Sequence, residues 1–304
     1  MHGMFSGHRT LAVVVITLAS IGVLGESQHT ELQAPAADPA QRVTPTANAS
    51  IPTGPQALAT LIEDGDAALR AAAIAWRTDG DQRKGSPPPA VTLEALYLQR
   101  ILRWLSRNSM LARAVTRRLP AVLAHNTREI VASLIDIRRL AAGYRPRPER
   151  IRTGAPEPLG VLIGHYRKAQ RRFKVGLHVL AAVNLVETAF GRLRNDSYAA
   201  AQGPMQFIPA TWRAYGLGGD VRDPRDAILG AANYLRASGA PNYRRALFHY
   251  NPSRLYVNAV LRFARLITRD PEALDMFYSW QVFVRMPGGG DRQVTGPGSK
   301  LRSR

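Results

Sequence analysis

The carboxyl group best placed for chemistry is Glu187. It sits in a run, Val179 to Leu193, whose apolar residues recur at helical spacing: Val179, Leu180, Ala182, Val183, Val186, Ala189, Phe190 and Leu193. Glu187 follows Val183 by four residues and Leu180 by seven, so it shares their side, and it is the only Glu between Glu157 and Glu272. A carboxyl at the edge of an apolar stripe is costly to ionise. It either finds a cation, with Arg192 and Arg194 nearby in sequence, or stays protonated to a higher pH. A pKa raised by about two units corresponds to roughly 2.7 kcal/mol of lost charge stabilisation. Such an acid suits proton donation to a glycosidic oxygen near neutral pH.

The segment from Gly203 to Trp212, Gly-Pro-Met-Gln-Phe-Ile-Pro-Ala-Thr-Trp, adds a second kind of chemistry. Gly203 and Pro204 prevent a helix at its start. Gln206 offers an amide; Met205 and Trp212 offer apolar faces. Amides beside apolar surface suit sugar rings, which have hydroxyl edges and C–H faces. A buried loop with a satisfied Gln is the plainer alternative.

Over about residues 158 to 268 the chain resembles the transglycosylase SLT domain. Glu187-Thr188 stands where that family has its catalytic Glu followed by Ser. Ser197, Ala201, Gly203-Pro204-Met205-Gln206-Phe207 and Pro209-x-Thr211-Trp212 match its Ser/Gly/Met-Gln signature. Ala231-Ala232-Asn233-Tyr234-Leu235 matches its Ala-x-Asn-Tyr-Leu segment, and Tyr250-Asn251 its late Tyr-Asn pair. Gly-Pro-Met-Gln-Phe is similar to the version in actinobacterial wall enzymes. The resemblance implies a lysozyme-like helical fold and a lytic transglycosylase acting on peptidoglycan glycan strands, with Glu187 as single acid/base and no cofactor or metal. It implies substrate contacts from Thr188, Ser197, Met205, Gln206, Phe207, Asn233, Tyr234, Tyr250 and Asn251. Two departures stand out. Thr188 replaces the usual Ser, and Ala200 replaces a Gly, which restricts the backbone if that position needs φ > 0.

Hydrolysing glycosidases normally use two carboxylates. Asp223 and Asp226 read as helix-start residues, and Asp270 opens another helix. Asp196 is then the candidate second carboxylate for the rival reading, a hydrolytic muramidase. A non-catalytic wall-binding module is the other rival.

The elements that must position these residues read as all-α. Residues 57 to 150 are expected to be a helical accessory region, and 151 to 285 the catalytic domain. Thr92 is an expected N-cap, followed by a stripe of Leu98, Ile101, Leu102 and Leu105. A helix is expected over about 127 to 142, and others starting at Asp223-Pro224, Asn251-Pro252-Ser253 and Asp270-Pro271. No strand-like alternation persists. Residues 286 to 304 read as a disordered basic tail and 26 to 56 as a disordered linker rich in Ala, Pro, Thr and Gln. Residues 1 to 25 carry Arg9 and then an apolar run from Leu11 to Gly25, the pattern of a signal peptide or N-terminal anchor. An exported protein follows, secreted to the wall or anchored to the outer face of the membrane.

The chain has 304 residues, no Cys, and a formal charge of +19 from 41 Lys+Arg against 22 Asp+Glu. Without thiols there is no Cys nucleophile, no Cys-based metal site and no disulfide. The basic excess suits a polyanion. An anionic cell wall is the expected partner, with membrane contact through the N-terminal segment; no nucleic-acid motif is present. Residues 100 to 152 hold thirteen Arg and three acids, either a solvated helix face or a cationic surface facing the polymer.

Overall fold

The computed structural model describes residues 43–142, 150–286 and 290–299. The expected signal or anchor, 1–25, lies outside them. The described chain is mostly helical, with eleven helices and one small antiparallel hairpin. Four helices come first in the chain: α1 Pro55–Thr78, α2 Pro89–Leu105, α3 Ser109–Thr116 and α4 Ala121–Leu140. Seven follow: α5 Leu159–Phe173, α6 Leu177–Thr188, α7 Pro209–Tyr215, α8 Pro224–Ala237, α9 Tyr243–Tyr250, α10 Arg254–Arg269 and α11 Pro271–Ser279. None of the described helices is long and apolar enough to cross a membrane.

One hydrophobic core runs through both expected regions, from Leu58 in α1 to Trp280 after α11. α4 packs extensively on α10, and α2 on α11. The described residues 57–142 are thus an integral layer of this core. Arginine ties the layers as well. Arg70 pairs with Asp270 and with Asp66, and Arg77 with Glu272 and Asp275.

Helix starts follow local chemistry. Asp223 accepts from Asp226 N–H and Asp270 from Glu272 N–H, each ahead of a Pro in the first turn. Thr92 is no N-cap. α2 begins three residues earlier at Pro89, because the Pro runs into the helix as its first residue, and Thr92 Oγ1 instead donates to Pro87 O at 3.3 Å. α4 likewise starts at Ala121, right after Pro120.

The two expected disordered segments differ from the structure where it describes them. Residues 43–54 are irregular but held: Tyr97 Oη donates to Ser50 O at 2.8 Å, Arg100 Nη1 donates to Ala49 O at 2.8 Å, and Ile51 packs on the core. In the tail, β1 Phe283–Arg285 pairs with β2 Asp291–Gln293. Arg103 of α2 and Arg107 just beyond its end both bind Asp291, and Val294 is buried. Three-residue strands are too short to show period-two patterning. Arg103, 4 % exposed, therefore belongs neither to a solvated face nor to a polymer-facing surface.

Candidate active site

α6 is buried on all sides, every residue from Val179 to Thr188 included. A helix apolar all round belongs at the centre of a fold. Glu187 occupies its last turn and is 3 % exposed. No cation reaches it among the described residues. Arg192 instead lies over the Tyr278 ring, and Arg194 Nη2 donates to Ala155 O at 2.7 Å. Burial pushes the Glu187 pKa up to about 8. The C-terminal end of a helix carries partial negative charge, which also disfavours the anion.

The partner of Glu187 is Tyr256 of α10, whose hydroxyl donates to Oε1 at 2.7 Å. This one contact opposes the upward shift. The second oxygen, Oε2, makes no protein hydrogen bond among the described residues. Tyr256 reads in the sequence only as one of the buried residues of its helix. A hydroxyl at the end of an apolar side chain sixty-nine residues away carries no local signal of its target.

From Tyr256 a row of aromatic rings leads toward the surface. Tyr250 stacks on Tyr256 at 6.4 Å and 3°; Tyr234 lies 5.5 Å from Tyr250, and Tyr215 4.8 Å from Tyr234. Glu187 and Tyr256 are buried, whereas Tyr250, Tyr234 and Tyr215 are half-buried. Tyr250 Oη donates to Met205 O at 2.6 Å, which fixes the 203–207 turn against this row. Phe207 packs edge-on against both Trp212 and Tyr250. Burial, then the Glu187 charge, hold the Tyr250 hydroxyl protonated well beyond its ordinary range.

The 203–207 turn is tight. Gly203 has φ +72°, and a Cβ there would lie 1.8 Å from Val221 O, so only Gly fits. Gln206, at φ 50°, donates through Nε2 to Gly203 O at 3.0 Å and to Asn195 O at 3.3 Å, leaving Oε1 buried without a partner. Asn251 Oδ1, directly after Tyr250, is also buried and unpartnered. These two orphan acceptors belong to the residues that follow Met205 and Tyr250, the pair joined by the Tyr250–Met205 hydrogen bond.

Several of the residues expected to contact substrate have hydrogen-bond partners within the protein. Thr188 is fully buried; its hydroxyl donates to Pro204 O at 2.7 Å and accepts from Gly191 N–H at 2.9 Å. It ties the end of α6 to the 203–207 turn, and its single O–H donor is spent there. Ser197 Oγ accepts from Ala199 and Ala201 N–H, closing its own loop. Met205 is fully buried and contributes its carbonyl. Asn233 donates to Tyr215 O at 3.0 Å, and Tyr234 Oη to His249 O at 2.8 Å, so both brace the aromatic row. Glu187, Gln206, Phe207, Tyr250 and Asn251 are brought into one neighbourhood.

Asp196, the candidate second carboxylate, is held by a two-pronged contact with Arg222, 2.9 Å at each oxygen. That hydrogen bonding keeps its carboxyl below the ordinary carboxylate range. No group of three or more His, Asp or Glu that could hold a metal occurs among the described residues.

Ala200 stands at φ 59° and is exposed. The left-handed conformation costs a residue with a Cβ roughly 1–2 kcal/mol, part of which Gly gives back in lost chain entropy. Ala200→Gly is expected to raise stability by about 1 kcal/mol, read from urea midpoints at unchanged m.

No family model matches this chain, and no curated protein or solved structure matches it.

Proposed function

We propose that this protein is a lytic transglycosylase of lysozyme-like fold. It cleaves the β-1,4 bond between N-acetylmuramic acid and N-acetylglucosamine in peptidoglycan. The observation that carries the reading is Glu187: a buried carboxyl with no cation, protonated at neutral pH, and held by one tyrosine beside the Met205–Gln206 turn. The residue matches with the SLT domain supply the substrate class.

In this mechanism Glu187 protonates the glycosidic oxygen as the C1–O bond breaks. Charge accumulates on the muramoyl ring as an oxocarbenium ion. The resulting Glu187 carboxylate then takes the proton from the C6 hydroxyl, whose oxygen closes on C1 as a 1,6-anhydro bridge. The proton returns to Glu187, so one acid serves both steps and no water is consumed. The electron-rich Tyr250 ring supports the transient positive charge. Gln206 Oε1 and Asn251 Oδ1 accept from sugar hydroxyl or N-acetyl groups. With Glu187 only 3 % exposed, glycan entry requires the groups around it to part.

The Asp196–Arg222 pairing weighs against hydrolysis with a second carboxylate. Digestion of purified peptidoglycan followed by mass spectrometry is the test: anhydro-muropeptides weigh one water less than hydrolytic products. A digest containing only reducing-end muramic acid would establish the muramidase instead. Export to the wall, and attraction of the +19 chain to that anionic polymer, belong to the same proposal.

Tyr256 acts as a positioning residue. Its hydroxyl bond favours the carboxylate, so Tyr256→Phe is expected to raise the Glu187 pKa further. The alkaline limb of the kcat/KM profile then moves to higher pH and the maximal rate falls. An unmoved limb with a merely lowered Tm would reduce Tyr256 to a packing role.

A further inference from the structure

A cleft of about 570 Å³ lies between the start of α2, residues 153–156, the end of α11 and the irregular segment 294–299 that follows β2. Glu187 does not line it. Arg192 does, and Arg192 is unusual. It is 6 % exposed, its Nη1 donates to Ala189 O at 3.2 Å, and its guanidinium lies 4.9 Å over the Tyr278 ring. No carboxylate pairs with it among the described residues, and burial draws its pKa down to about 10.

A guanidinium has five N–H donors in a planar fork. Here one has a protein acceptor. A buried charge left this way is costly unless something else pairs with it. Several other polar side chains of the wall are already engaged, while Ser86, Thr153 and Ser299 add hydroxyls to it. Thr92 Oγ1 donates to Pro87 O, Gln281 Nε2 to Ser279 O, and Thr295 Oγ1 to Gln281 Oε1. The rest of the lining is largely apolar, including Leu93, Pro156 and Val294. Among the described residues, no other Lys or Arg and no Asp or Glu lines the cleft.

We propose that this cleft binds a monocarboxylate with a small apolar body, its carboxylate taken by the Arg192 fork. One cation balances one negative charge, which favours a carboxylate over a phosphate dianion. The planar fork matches two carboxylate oxygens. The volume is that of a small-molecule site. The site stands apart from Glu187 and does not rest on the glycosidase reading.

The test titrates the full chain with N-acetylalanine, its uncharged amide and inorganic phosphate, by calorimetry. The free acid is expected to bind at least about tenfold tighter than the amide, the worth of a charge-assisted hydrogen-bond pair. Phosphate is expected to bind no better than the amide. Arg192→Met should level acid and amide, and Arg192→Lys should narrow their difference. Leu93→Trp, which fills the cleft without touching Arg192, should weaken both ligands and decides the matter if the Arg192 variants do not fold. Equal binding of acid and amide by the unaltered chain, tighter binding of phosphate, or undiminished acid binding by Leu93→Trp would each overturn the proposal.

Discussion

Glu187→Gln is expected to lower the rate of peptidoglycan cleavage by about 10³-fold or more, within or beyond the usual worth of a positioned general acid. The substitution isolates the proton. Gln has the same shape, and its Oε1 still accepts from Tyr256 Oη, so the packing between α6 and α10 is kept. What is lost is the transferable hydrogen, and with it the base of the second step. Because one group serves both steps, no second carboxylate takes over; Asp196 is engaged by Arg222. The decisive measurement is release of anhydro-muropeptides by the two proteins, together with their retention on insoluble wall. Binding should persist while release stops. A Gln variant that releases fragments at wild-type rate would remove Glu187 from the chemistry. An unaltered protein that binds wall yet releases nothing would identify a wall-binding module.

The same substitution is expected to change how stability depends on pH, by an amount large for a single side chain. Folding raises the Glu187 pKa from 4.5 to about 8. Below pH 4.5 the carboxyl is protonated in both states, and its contribution is fully present. Between there and pH 8 the unfolded chain gives up the proton while the folded chain keeps it, so stability falls as pH rises. Above pH 8 both states are ionised, and the loss is constant. The loss is on the order of 5 kcal/mol, and Gln does not suffer it. Urea unfolding at pH 4, 6 and 8 should therefore show the Gln variant gaining steadily on the wild type. The other ionisable groups are common to both proteins and cancel in the difference. Parallel curves across that range would mean that the carboxyl is not held neutral by burial, and the proposed acid would lose its physical basis. A protein that accepts such a cost at its centre gives up stability to keep a proton available, a trade typical of functional sites.

Some of this was legible in the residues alone. The apolar run around Glu187 is a local pattern, and α6 with its raised carboxyl follows from it. The Asp-Pro starts of α8 and α11 are likewise set within four residues, and both appear. The need for Gly at 203 is only half local: its positive φ is a one-residue matter, but the close approach of Val221 O comes from a distant segment. What the fold decided are the partnerships between distant segments. Thr188 donates to Pro204; Tyr256 faces Glu187; Asp196 is taken by Arg222; Arg103 and Arg107 turn inward to Asp291. Helical periodicity says which face is buried but not which hydroxyl or guanidinium on the next element it meets. Those choices depend on how helices far apart in the chain pack into one core, a long-range outcome that no short stretch of sequence encodes.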